Sequence, residues 1–276
     1  MTDSLVYNIP AKEIESFRGR NVIVRSAVPS DIVYCLWRVE QNSVRFIQLL
    51  NTPYDTSDLE GCGPGVPIEI ELKDPATEFS KLYNYTNLID SHPVRVAIPA
   101  LPGFSKAAKV AVSLNFDVKL ELGQPDSFLI EELEGVLDFY LHRPNVHQPV
   151  EFFHSTLLSF FRNDPVSLWE IAEEDPAHVR YLRDDGQETI SKRFVGFQVD
   201  GPLDDFVDRY GQELLSEKRE CGGCEFFSRC GGYFKWPDKS YDCSGVKKLF
   251  RTLKSAAEEL RLDLASLQEA GRVQQP

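Results

Sequence analysis

The chain has 276 residues, 42% of them hydrophobic and 26% charged, with 43 acidic against 30 basic side chains and a formal net charge of −13. That length and balance suit one large or two modest globular domains with a sizeable core. The acidic excess, without a Lys/Arg cluster, argues against a broad phosphate-binding surface, so nucleic acid is not an expected partner, whereas a basic or amphipathic peptide is compatible.

Residues 1–10 (MTDSLVYNIP) lack the basic and long apolar stretches of a secretory leader. No run approaches the roughly 20 apolar residues of a membrane span. The expected location is the cytoplasm, away from the membrane. NVIVRS (21–26) is a short β-branched run and predicts a strand. A helix is expected over 29–41, with Ile32, Cys35, Leu36 and Val39 on one face, then a strand at VRFIQLL (44–50) and a Pro/Gly/Asp-rich loop over 51–67. IEIEL (68–72) alternates as a strand, 75–88 reads as a helix, and VRVAIP (94–99) as a strand. A helix over 105–114 and a strand at VKLEL (118–122) precede an amphipathic helix over 126–141, with Asp126 as its N-cap. Strands alternating with helices predict an α/β fold: a partial barrel or an open, mostly parallel sheet, since five strands are too few to close an eight-stranded barrel.

Beyond Pro144 the character changes. Helices are expected over 148–164, over 165–182 with an interruption at Pro176, and over 202–215; DDGQETISKRF (184–194) reads as a turn with a short strand. A long helix over 244–270 has Val246, Leu249, Phe250, Leu253, Ala256, Ala257, Leu260 and Leu264 along one face. The expected division is an α/β domain over 1–143, a helical region over 144–219, and a cysteine-rich metal-binding segment with a long C-terminal helix over 220–276.

Four of the six cysteines fall in one stretch, spaced Cys221-x2-Cys224-x5-Cys230-x12-Cys243. In a reducing compartment such grouping points to metal or redox chemistry rather than disulfides. A C-x2-C pair lets two thiolates meet one ion across a tight turn, and four thiolates complete a tetrahedral site suited to zinc, with an iron–sulfur cluster as the alternative. Gly222, Gly223, Gly231 and Gly232 supply turns, and the surrounding aromatics would exclude water. Cys35 is expected in the core, and Cys62 in a surface loop.

These residues, Cys221, Cys224, Cys230, Gly231-Gly232 and Cys243 ahead of a long helix, resemble the SPASM/twitch cysteine-rich extension of radical S-adenosylmethionine enzymes. The resemblance covers about the last quarter of the chain by motif. The family's C-x3-C-x2-C triplet is missing: the first 150 residues hold only Cys35 and Cys62. The resemblance therefore implies a degenerate scaffold without radical chemistry. The spacing of 12 before Cys243 is also longer than the common pattern. The whole chain, including VKLELGQPD, PVEFFHS, LWEIAEEDP and CGGYFKWPDKSYDC, is similar to the partner subunits of multinuclear non-heme iron oxygenases. Those pairs modify cysteine in ribosomally made peptides, as in a thiaglutamate-type pathway. The resemblance implies an accessory subunit that binds a precursor peptide and an enzyme carrying the iron.

Other candidates carry less. Lys119, Glu121 and Gln124 lie at the end of a predicted strand, where open α/β sheets bind ligands. Glu173, Glu174 and Asp175 gather three carboxylates before Pro176, against a plain reading as a solvated helix end. His154, three residues after Glu151, reads as a hydrogen-bonded helix histidine, and His142 and His147 as loop residues. LPGFSKAAK (101–109) lacks a phosphate-loop pattern, and no nucleophile-elbow or acid–base set is evident. Tyr83, Tyr85 and Trp169 are candidate interface anchors, with burial competing for Trp169. Three functions remain open: the non-catalytic partner, an iron–sulfur electron-transfer or catalytic protein, and a zinc-stabilised interaction protein.

Overall fold

The computed structural model describes residues 5–38, 43–60, 63–217 and 220–273. Its centre is a nine-stranded sheet in the order β7-β6-β5-β4-β3-β2-β1-β8-β9. The strands are β1 (Val6–Pro10), β2 (Asn21–Ser26), β3 (Val44–Leu49), β4 (Ile68–Glu71), β5 (Val94–Pro99), β6 (Asp117–Glu121), β7 (Val150–Glu151), β8 (Val179–Leu182) and β9 (Glu188–Thr189). All neighbours pair in parallel except β8 with β9. The protein is therefore α/β, with an open, mostly parallel sheet.

The helices are α1 (Pro29–Leu36), α2 (Ser57–Glu60), α3 (Pro75–Glu78), α4 (Phe104–Ser113), α5 (Ser127–His142), α6 (Phe153–Arg162), α7 (Leu168–Ile171), α8 (Phe206–Ser216), α9 (Phe227–Cys230) and α10 (Ser244–Val273). Asp126 caps α5 by accepting from the Leu129 N–H. The helix expected over 75–88 continues from α3 as 3-10 turns, Phe79–Asp90. No helix among the described residues is long and apolar enough to cross a membrane.

The five strands expected in the first half form, the short strand expected within 184–194 is β9, and β1, β7 and β8 join them. The expected helix over 165–182 is corrected: only α7 is helical there, and Val179–Leu182 is a strand held between β1 and β9. Likewise 148–164 divides into β7 and α6. Both errors have one cause. Local apolar spacing favoured helix, whereas long-range pairing decided strand. Eight strands are thus parallel, in chain order from β7 back to β1, with β8 beside β1. That is the order of an eight-stranded barrel, with no pairing between β7 and β8 among the described residues.

The sheet is curled. Asn8 on β1 and Lys119 on β6 line one cavity of about 50 Å³, whereas strands five positions apart in a flat sheet would stand about 24 Å from each other. The convex face is apolar: Ile47, Ile68, Ile70, Val96, Ile98 and Val118 are all buried. The concave face is polar, and that inversion places the first candidate site.

Candidate functional site

Parallel strands usually bury both faces in apolar contacts and read as continuous hydrophobic runs. Here IEIE, VRVA and DVKLE alternate. The register aligns the polar members in a row, Arg25 beside Gln48, Gln48 beside Glu69, Glu69 beside Arg95, and Arg95 beside Asp117. Their side chains form a continuous network. Arg25 donates to Asn8 Oδ1 (2.9 Å), Asn8 donates to Gln48 (3.1 Å), and Gln48 donates to Glu69 (2.6 Å). Arg95 meets Glu69 at 2.6 Å and grips Glu173 with two bonds of 2.8 and 2.7 Å. Lys119 reaches Glu173 at 2.7 Å.

Glu69 is wholly buried. Burial alone would raise its pKa, but the charges of Arg95 and Lys119 outweigh that and hold it below the ordinary range. Glu173 is drawn down to about 2 by the same two cations, against the same burial. Lys119 is raised: its two carboxylate partners overcome the burial that would lower it.

At the carboxyl ends of the strands, where barrel enzymes keep their active sites, Lys192 bridges Glu71 (3.1 Å) and Glu121 (2.8 Å). Burial raises the pKa of Glu71 despite Lys192. Beside it Arg193 pairs with Glu174 at 3.2 Å and lies 4.1 Å from the Tyr233 ring centroid. The mouth is therefore filled by this chain's own residues, leaving the cavity of about 50 Å³.

The cysteine-rich segment packs against that mouth. Gln124, just past β6, donates to the carbonyls of Phe234 (2.9 Å) and Asp238 (2.8 Å), and the Tyr241 hydroxyl donates to the carbonyl of Pro125 (2.6 Å). Trp169 is wholly buried and donates to the Gly231 carbonyl at 2.9 Å. Phe194, Phe206, Tyr210 and Tyr233 pack around its ring. On the other side Phe226 stacks on Phe250 of α10. These aromatics join the segment to the same core that covers the sheet. Gly231 and Gly232 have φ of 55° and 78°, the left-handed turn expected after Cys230, whereas Gly222 and Gly223 lie in a 3-10 turn.

Cys221, Cys224, Cys230 and Cys243 all line one small apolar cavity of about 20 Å³. All four are free thiols. Burial raises the pKa of Cys221, takes Cys230 up to about 11, and takes Cys243 up to about 12. The backbone N–H groups of Gly232 and Phe234 oppose the shift at Cys230 by pointing at its sulfur. Among the described residues no group of three or more His, Cys, Asp or Glu is arranged, as placed, to hold a metal ion.

Of the residues singled out for binding, Lys119, Glu121, Glu173 and Glu174 line the same concave cavity. Gln124 instead fastens the cysteine segment, and Asp175 accepts from the Ala177 N–H (2.9 Å) in a turn. His154 hydrogen-bonds Tyr140 at 2.7 Å. Cys35 is buried in the core, and Cys62 lies outside the described residues. Tyr83 is exposed, but Tyr85 and Trp169 are buried and offer no surface anchor. Sequence reasoning passed over Asn8, Arg25, Gln48, Glu69, Arg95 and Lys192. The signal was present in the charged residue at alternate positions of strands that, being parallel, had no reason to face water. No protein-family model, curated protein or solved structure matches the chain.

Proposed function

We propose that this chain is a cytoplasmic accessory subunit that binds a precursor peptide and a multinuclear iron oxygenase-type enzyme acting on cysteine in a ribosomally made peptide. The observation that carries the reading is the filled mouth of the sheet. Lys192 ties Glu71 to Glu121 where a barrel enzyme would admit its substrate, and the charges beneath, Glu69 wholly buried and Arg95, Lys119 and Glu173 partly so, are paired with one another. Buried carboxylates committed to neighbouring cations are poor general acids or bases, because moving their protons means breaking the pair. The resemblance to partner subunits points the same way.

The second part of the proposal is one zinc ion held by Cys221, Cys224, Cys230 and Cys243, with an iron–sulfur cluster as the alternative. What supports it is donor chemistry: four thiols line one cavity, and two backbone N–H groups face the Cys230 sulfur, where they would stabilise a thiolate; as placed the thiols do not converge on one point, so binding would have to draw them together. When bound, zinc with four thiolates has no open position and acts as a structural tie. The residues around it position the segment: Gln124 and Tyr241 fix it to the sheet, and Trp169 and Phe250 exclude water.

Two measurements test the proposal. Metal content of anaerobically purified protein is expected at about one zinc per chain, falling sharply in Cys224→Ser; unchanged content in that variant overturns the site. Gel filtration with the iron oxygenase and its precursor peptide is expected to give one complex, with full modification only when this chain is present. Separate elution, or full modification by the oxygenase alone, overturns the subunit reading.

A further inference from the structure

The thiol cavity has a charged wall. Beside the four cysteines and the apolar side chains that line it, the described residues facing it are Glu220, Lys235 and Lys247. Lys235 is only 4% exposed. Its ammonium donates to Glu220 and to the Tyr241 carbonyl, and Lys247 donates to the other oxygen of Glu220 at 2.8 Å. Two cations thus share one carboxylate, and the wall keeps one positive charge in excess. Asp242, next to Cys243 in the chain, does not restore the balance. It is exposed, does not line the cavity, and accepts from the Ser244 N–H and hydroxyl, both at 2.9 Å, where α10 begins.

A buried ammonium is costly unless a negative charge answers it. Glu220 answers one of the two lysines, and four neutral thiols answer neither. The other groups around the sulfurs carry the same sign. The N–H groups of Gly232 and Phe234 face the Cys230 sulfur. Cys243 is the N-cap of the 30-residue α10, its carbonyl accepting from the Lys247 N–H at 2.8 Å, so it stands at the positive end of that helix. Lys235 favours the thiolate form of both Cys221 and Cys243, and Glu220 and burial oppose it.

A cavity meant for four neutral thiols has no use for such surroundings. Four thiolates on a divalent ion carry two negative charges in excess, and a positive wall lowers the cost of burying them.

We infer that Lys235 and Lys247, held in place by Glu220, balance the charge of a tetrathiolate metal centre at Cys221, Cys224, Cys230 and Cys243 and so set its affinity. The inference rests on the metal site proposed above and names the residues outside the ligand set on which that site depends.

The test measures zinc affinity of the full chain by competition with a chelator, beside the thermal midpoint of the metal-free protein. Lys235→Met leaves the wall neutral and is expected to weaken zinc binding about tenfold or more. Glu220→Gln leaves both cations unanswered and is expected to bind zinc at least as tightly as the unaltered chain. The double variant restores one excess cation and is expected to recover most of the loss. A merely structural role moves the other way: Glu220→Gln would disrupt both ion pairs, weaken zinc and lower the metal-free midpoint, and the double variant would be worse than either. The Glu220 side chain is 33% exposed, so its Gln variant carries the comparison even where Lys235→Met fails to fold. No zinc on the unaltered chain overturns the metal site and this inference together. Zinc on the unaltered chain with weaker binding in Glu220→Gln, no recovery in the double variant, or one affinity for all four proteins overturns this inference alone.

Discussion

The concave face of the sheet and the cysteine-rich segment solve the burial of reactive groups in opposite ways. On the concave face Arg95 and Lys119 stand against Glu69 and Glu173, two cations to two carboxylates, and each charge is answered from within the chain. In the segment four thiols meet around one cavity, and burial favours their neutral forms. The first region is complete through pairing. The second gathers groups of one kind. Ion pairs within the chain cross the carboxyl ends of the strands, whereas the four thiols lie together outside the sheet.

The sharpest way to break this comparison is to remove one member of the concave network. Glu69→Ala leaves Arg95 and Lys119 sharing the one carboxylate of Glu173 beside a buried void, and breaking a buried pair typically costs about 3–5 kcal/mol. Chemical denaturation should show that loss. A cost under about 1 kcal/mol would mean the network is as weak as a surface ion pair.

A smaller loss is expected in the segment. Gly232 has φ 78°, and a Cβ there would collide with the Leu214 side chain of α8. Gly232→Ala should cost about 1–3 kcal/mol through strain and overpacking. Because the segment's aromatics belong to the same contiguous core as the sheet, the loss should appear in chemical denaturation as a lower midpoint of one cooperative transition. An unchanged midpoint would show that Leu214 can make room for the added methyl.

The smallest effect is a slope. Glu173 is held near 2 in the fold against an ordinary value of 4.5, and Glu69 is shifted in the same direction. A depressed carboxyl contributes stability that is complete above its unfolded pKa and is lost as pH falls through its folded one. Stability should therefore decline between about pH 4.5 and about pH 2. Glu71 and Glu174 are raised by burial and act oppositely, their ionised forms costing stability as pH rises through their folded values. Glu173→Gln should flatten the acid limb of a stability-versus-pH curve. An unchanged slope would place that titration elsewhere.

Much of the fold was legible locally. NVIVRS and VRVAIP form strands over the residues read from their β-branched runs, Asp126 caps the helix that its position announced, and the apolar face of α10 was plain from its spacing. These are near-neighbour properties: side-chain shape, capping chemistry and period act within one or two turns. The grouping of Cys221, Cys224, Cys230 and Cys243 around one cavity was likewise legible, because a tight turn can bring a C-x2-C pair together without help from the rest of the chain.

The remainder belongs to the tertiary structure. VRYL at 179–182 is a strand only because β1 offers it an edge, and β1 itself follows a stretch with little strand alternation of its own. Arg95 and Glu173 are 78 residues apart, so no window of sequence shows that one completes the other. Curling of the sheet turned alternate charged residues on its strands toward one another rather than toward water. The chain wrote down which residues alternate; only the curled arrangement of strands decided that the charged half would face inward, because a buried charge is tolerable only where long-range packing supplies its opposite.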